Sequence, residues 1–152
     1  MGGHSMEKPE IEYESRMQRT LESEAKLLGV VCSSEGIMTA APYRVVEGSH
    51  WAFAGAGLRN GDLFGEKTLH ERVPGGASGH ETDKRSASSP ANAVLLAKGT
   101  NPDHGGAEIV YHEPGNGGAV FSVGSITWVA ALLADERVSR ITRNVLERLL
   151  HE

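Results

Sequence analysis

The last third of the chain constrains its fold most. Three short apolar runs follow one another there: Ala93-Val94-Leu95-Leu96-Ala97, residues 107–111, and Ala119-Val120-Phe121-Ser122-Val123. Each is bounded by Gly, Pro or Asn. They are too short for ordinary helices, and their lack of polar alternation is the pattern of strands covered on both faces. Pro114-Gly115-Asn116-Gly117-Gly118 joins the second and third runs, and its Asn-Gly step predicts an antiparallel hairpin. Beyond Gly124 the period changes. Ser125 is placed to cap a helix over 126–133 that is apolar almost all round and so predicted to be buried. Asp135 is placed to cap a second helix, in which Val138, Ile141, Val145 and Leu149, flanked by Leu146 and Leu150, form one stripe that lies on a core. Strands followed by helices that cover them predict an α/β architecture.

Upstream the signals are sparser. Residues 1–5, MGGHS, precede a second methionine, Met6, and read as the remnant of a cloning vector, which sets His4 aside. Residues 7–14 are acidic, carry Pro9 and read as a loose lead-in. Over 15–28 a helix is predicted, because Met17, Leu21, Ala25 and Leu28 recur at helical spacing and Gly29 supplies a stop. The organisation expected is therefore a vector-derived segment at 1–5, a helix-bearing segment at 6–28 and one domain over 29–152. Between residues 30 and 65 the chain reads as short strands and turns. Val30-Val31-Cys32 and Tyr43-Arg44-Val45-Val46 are strand candidates, and Trp51 and Phe53 alternate with small residues before Gly55-Ala56-Gly57. Residues 66–90 show little apolar periodicity, and so long an irregular stretch in a domain is functional or disordered.

With 15 basic against 20 acidic residues, the net charge of -5 offers nucleic acid no basic face and anionic lipid no basic cluster. No uncharged apolar run approaches the ~18 residues of a membrane span, and no basic-then-apolar secretory pattern opens the sequence. A single cysteine, Cys32, forms no internal disulfide and fits a reducing compartment, so the cytoplasm is expected.

Chemistry concentrates in Gly75-Gly76-Ala77-Ser78-Gly79-His80-Glu81-Thr82-Asp83. Three glycines in five positions let the backbone turn sharply and approach a ligand, and acids follow at once. Glu81 is a candidate general base or amine anchor, with His80 beside it to tune it or shuttle a proton. No Lys-Ser/Thr pair follows at phosphate-loop spacing. The seven histidines lack the His-Glu-x-x-His or paired Cys/His spacing of a zinc site, so no metal is expected to be built from this chain. Cys32 lacks a nucleophile elbow and reads as a small buried hydrophobe. The Gly124-Ser125 junction, where a strand ends and a helix begins, is a further place for a ligand, with Ser125 as its hydroxyl and Trp128 as a core anchor.

Several segments, taken in order, resemble the C-terminal part of the large subunit of the N,N-dimethylformamidase family. They are Trp51-Ala52-Phe53-Ala54-Gly55, Gly61-Asp62-Leu63-Phe64-Gly65, the 75–83 loop, Glu108-Ile109-Val110-Tyr111-His112-Glu113, residues 116–128, and residues 138–146. The resemblance covers roughly residues 28–150. It implies an α/β fold with a partial class I glutamine-amidotransferase-like (flavodoxin-like) sheet and C-terminal covering helices, without that fold's cysteine nucleophile. It also implies cleavage of small formamides to amine and formate at a mononuclear iron, which complete family members hold through two tyrosines and a glutamate. Glu81 matches a loop glutamate that lies near the iron. Tyr111-His112 stand where the family has bulky aromatics, one of which resembles a pocket wall. The iron glutamate's Gly-His-x-Glu-Tyr-Trp type of motif does not occur in these 152 residues, and Tyr13, Tyr43 and Tyr111 match no iron ligand.

The site expected from the resemblance has Glu81 and His80 as catalytic residues, Tyr111, His112 and Ser125 as substrate-binding residues, and no metal ligand. The chain then resembles a domain or truncated homologue that supplies a pocket carboxylate for a small amide substrate and is inactive alone. A non-catalytic binding or oligomerisation module is the alternative, and a self-sufficient enzyme of another class using His80, Glu81 and Asp83 is the third reading. Half of an amidotransferase-like sheet leaves a strand without its neighbour, which implies a homo-oligomer or a companion domain.

Overall fold

A computed structural model of the protein describes residues 14–151, except 16, 20 and 116. Residues 1–5, expected to be vector-derived, most of the acidic lead-in and Asn116 lie outside the described residues. The molecule is a mixed α/β structure. After a short 3-10 turn at Met17–Arg19, it runs through α1 (Ala25–Leu28), β1 (Val31–Ser33), β2 (Ala40–Ala41), β3 (Tyr43–Val45), a 3-10 turn at Trp51–Phe53, β4 (Leu63–Phe64), β5 (Ser78–Gly79), β6 (Thr82–Lys84), β7 (Val94–Gly99), β8 (Glu108–His112), β9 (Val120–Ser122), α2 (Thr127–Ala131) and α3 (Glu136–Leu150).

Five strands form the main sheet in the order β4-β3-β7-β8-β9, and two small pairs, β1-β6 and β2-β5, stand beside it. Every described pair is antiparallel. The flavodoxin-like sheet expected from the resemblance is not confirmed: β7-β8 and β8-β9 turn back through short loops, which gives antiparallel pairs, and β3 meets β7 antiparallel across the intervening β4, β5 and β6. The hairpin prediction is met, with Val110 opposite Ser122 and His112 opposite Val120. All five residues of β8 are buried, as a central strand covered on both faces requires. β9 departs from that expectation, since it is an edge strand and is half-exposed throughout.

One face of the sheet carries the core. Tyr43, Phe64, Leu96 and Ile109 are fully buried there against Trp128 of α2 and Val138 and Ile141 of α3. The Tyr43 and Phe64 rings stack at 5.6 Å, and Trp128 meets Tyr43 edge-on at 5.8 Å. α3 starts where the sequence places it: the Asp135 carboxylate accepts from the amides of Arg137 and Val138, and the helix buries Val138, Ile141 and Val145. Asn144 ties it to the Trp51–Phe53 turn by donating to the carbonyls of Ala52 and Ala54.

Three local expectations are corrected. The predicted helix over 15–28 is broken, because buried Ser23 turns its hydroxyl back to accept from the Ala25 amide and so competes with helix through 21–24. Only Ala25 of α1 is buried, and Gly29 ends the helix at φ +78°. The 126–133 helix is shorter and is not buried all round: Thr127, Trp128 and Ala131 face the core, but Val129 is 70% and Leu133 90% exposed. Trp51 and Phe53 lie in a 3-10 turn rather than a strand, with the His50 imidazole accepting from the Ala52 amide.

Candidate functional site

The irregular stretch over 66–90 is built into the sheet. Gly75 and Gly76 take φ of +133° and +152°, and a Cβ on Gly76 would fall 2.3 Å from the Ala41 carbonyl carbon, so the loop lies directly on β2. Ser78 is fully buried. Its hydroxyl donates to the Asn101 side-chain oxygen at 2.7 Å and accepts from the Ala107 amide at 3.0 Å. Asn101 donates in turn to the Ser78 carbonyl and to the Thr39 hydroxyl. This satisfied polar network fixes where the turn after β5 emerges.

The other wall comes from the junction between β9 and α2. Gly124 sits at φ +64°, and a Cβ there would lie 2.8 Å from the Asp83 carbonyl and 2.9 Å from that of Glu108, so only glycine lets the two strands approach. The Gly124 carbonyl accepts from the Asp83 amide, and Thr82 bridges to Ser125. Ser125 does not cap α2, whose N-terminus carries no side-chain cap. Instead its hydroxyl accepts from the Gly79 amide at 2.8 Å, donates to the Gly79 carbonyl at 3.1 Å and meets the Thr127 hydroxyl at 3.1 Å. It is a staple that joins the glycine loop to the strand-helix junction.

Between these walls lies a cavity of about 270 Å³, into which Glu81, Asp83 and Ser125 open between the apolar side chains of Leu28, Val30, Val123 and Ile126. No cationic side chain lines it. Partial burial, and then the nearby carboxylates of Glu81 and Glu24, push the Asp83 carboxyl above the usual aspartate range. Two carboxyl groups that differ in burial and face one apolar-walled space can divide the work of an acid and a base on a bound polar molecule.

Of the sequence-predicted residues, this cavity gathers Glu81 and Ser125. His80 stands at φ +69°, and its Nδ1 lies 3.2 Å from His70 Nε2 rather than in the cavity lining. Tyr111 is in the core beside Trp51 and His50, and its hydroxyl donates to the Glu113 carboxylate at 2.6 Å. His112, on the opposite face of β8, is buried and donates from Nε2 to the Leu27 carbonyl at 3.0 Å. In the sequence reading Asp83 has a role only beside His80 and Glu81, in an enzyme of another class. The signal was its two-residue spacing from Glu81, which in extended chain puts both side chains on one face. Cys32 is exposed, not buried, because it pairs with Asp83 on the narrow β1-β6 ribbon and points outward. Partial burial and the Asp83, Glu81 and Glu24 charges push its thiol up, away from thiolate reactivity.

Among the described residues no group of three or more His, Cys, Asp or Glu could hold a metal ion. Burial holds the Tyr43 phenol far above its usual range, and it donates to the Val123 carbonyl at 2.7 Å, while the Tyr111 phenol is engaged with Glu113. Tyr13 lies outside the described residues. No helix of the described residues is long and apolar enough to cross a membrane.

The sequence compares with known proteins as follows. A family model described as N,N-dimethylformamidase beta subunit-like, C-terminal, matches residues 4–140. The N,N-dimethylformamidase beta subunit of Paracoccus aminophilus is 35% identical in an alignment of 108 residues that covers 53% of this chain and 14% of that protein. The protein of the same name from Alcaligenes sp. is 32% identical, with the same coverage of each. The match spans about one seventh of the length of these relatives.

Proposed function

Because the chain belongs to the family of N,N-dimethylformamidase beta subunit-like C-terminal domains, we propose that it supplies a carboxylate-bearing pocket wall to a small-amide hydrolase site. In this reading Glu81 and Asp83 face the substrate, Ser125 holds the loop that carries them, and the metal centre of the family comes from polypeptide outside the described residues. The observation that carries the proposal is the convergence of the glycine loop and the strand-helix junction on one cavity lined by Glu81, Asp83 and Ser125. Unactivated amide hydrolysis needs both a polarised carbonyl and an activated water, and a lone general base contributes only ~10²–10⁴-fold. The chain by itself is therefore inactive in this account.

The test is an NMR titration of the intact chain with N,N-dimethylformamide. Concentration-dependent shifts confined to the amides of residues 81–83 and 122–126, and reduced in Glu81→Gln, support the proposal. Shifts elsewhere, or none up to hundreds of millimolar, refute it.

A second reading, a binding or oligomerisation module, is favoured by the apolar side chains that α2, the turn after it and α3 leave in water, Val129, Leu133 and Leu150 being 70%, 90% and 80% exposed. Light scattering after size exclusion distinguishes it. A concentration-independent dimer supports association through this face or a sheet edge, and a monomer at all concentrations counts against a homo-oligomer.

A further inference from the structure

His70 and His80 make a contact that neither the glycine loop nor the cavity requires. The His70 Nδ1 accepts from the Val73 amide at 3.0 Å, so that nitrogen carries a lone pair and the single proton of the neutral ring sits on Nε2. His70 Nε2 lies 3.2 Å from His80 Nδ1, with the rings at 87°. With Nε2 of His70 protonated, His80 Nδ1 must be the acceptor, and the His80 proton is on its own Nε2. The two bonds form a one-way relay, from the Val73 amide to His70 and from His70 to His80. The same tautomer disqualifies the pair as metal ligands, since the His70 nitrogen nearest its partner has no lone pair to give.

We propose that this pair is an acid-released latch, which fixes the strap over residues 66–73 to the turn that carries Glu81 while both rings are neutral and frees the strap when either ring takes a second proton. A proton added at His80 Nδ1 sets two N–H groups head to head, and one added at His70 Nδ1 displaces the Val73 amide. His80 itself stays in place, because its amide donates to the Thr39 carbonyl and its carbonyl accepts from the Met38 amide. Release is expected at the His70–Val73 end of the strap, because the burial of Val73 and the Leu69 amide, which donates to the Ala130 carbonyl, still hold the rest. The charged residues of the strap and the turn are Glu66, Lys67, Glu71, Arg72 and Glu81, all exposed; Asp135, Glu136 and Arg137 at the start of α3 share a surface groove with Glu66 and Lys67; and Met38, Thr39 and Ala130, whose backbones bond to the strap and the turn, carry no charge. The inference stands on this geometry and holds whether or not Glu81 acts on a substrate.

The experiment is nitrogen-15 NMR of the imidazoles together with amide hydrogen exchange, at pH 8 and at pH 5. At pH 8 both rings are expected as Nε2–H tautomers, with the Val73 amide protected. At pH 5 the Val73 protection factor is expected to fall about tenfold, the loss of one hydrogen bond, while that of Ile141 is unchanged. In His70→Asn, whose side-chain oxygen takes the place of Nδ1 and does not titrate, Val73 protection is expected to be the same at both pH values. An Nδ1–H tautomer at His70, equal Val73 protection at pH 8 and pH 5 in the unaltered chain, an equal fall in His70→Asn, or a matching loss at Ile141 overturns the latch.

Discussion

Replacing Ser125 by alanine removes the one side chain that joins both walls of the cavity. The Ser125 hydroxyl accepts from the Gly79 amide at 2.8 Å and donates to the Gly79 carbonyl at 3.1 Å, and Gly79 is buried. A buried backbone group left without its partner costs about 1–3 kcal/mol. Two such groups share one residue here, and the Thr127 hydroxyl can rotate toward the gap to recover part of the loss, so the expected cost of Ser125→Ala is about 2 kcal/mol. In a chain of this length that lowers Tm by about 4–8 °C. Urea unfolding followed by the fluorescence of Trp51 and Trp128 measures it, with Ser122→Ala as the control. The Ser122 hydroxyl also donates to a carbonyl, that of Leu28 at 2.5 Å, but at an exposed position, where the expected cost is under about 0.5 kcal/mol. If the two variants cost the same small amount, Ser125 is not the staple described above and the cavity has no fixed wall.

Further predictions follow from the same bonds and charges. Asp135→Ala removes the acceptor for the Arg137 and Val138 amides at the start of α3 and is expected to cost about 1 kcal/mol by chemical denaturation. Tyr43→Phe leaves the Val123 carbonyl without its donor and is expected to cost about 1 kcal/mol, with no accompanying change in secondary structure by circular dichroism. Asp83 has a folded-state carboxyl raised by burial, so its ionised form opposes folding: the penalty is complete above the folded-state value and vanishes below the unfolded one. Asp83→Asn is therefore expected to raise Tm at pH 7, and the gain is expected to disappear as the pH falls through the acid range.

What the sequence made legible was local. The β8-β9 hairpin announces itself through the turn residues between two apolar runs, and α3 through the Asp135 cap and the i, i+3, i+7 recurrence of Val138, Ile141 and Val145, all within one element. Glu81 and Ser125 were each visible as residue types beside glycine-rich junctions. Their meeting was not, because the hydroxyl and the Gly79 backbone it holds are 46 residues apart. Distance along the chain likewise hides the Ser78-Asn101-Thr39 network, which spans 23 and 62 residues. The N-terminal helix fails for the opposite reason. Its periodicity is real, but only its last turn packs on the sheet, where Ala25 is buried; Leu21 and Leu27 remain 73% and 62% exposed, so little burial opposes the local bond that Ser23 makes. Tyr111 and His112 are neighbours in sequence that the pleat of β8 sends to opposite faces, and no local pattern says which face a distant loop will meet.

The central proposal is that this polypeptide carries the carboxylate wall of a small-amide site and not the machinery to run it. Steady-state release of formate from N,N-dimethylformamide by the purified chain, with ferrous or ferric iron added and removed, tests this most directly. The account predicts no turnover above buffer in any of these conditions; iron-dependent turnover that is lost in Glu81→Gln would contradict it, because this chain would then be assembling the whole centre.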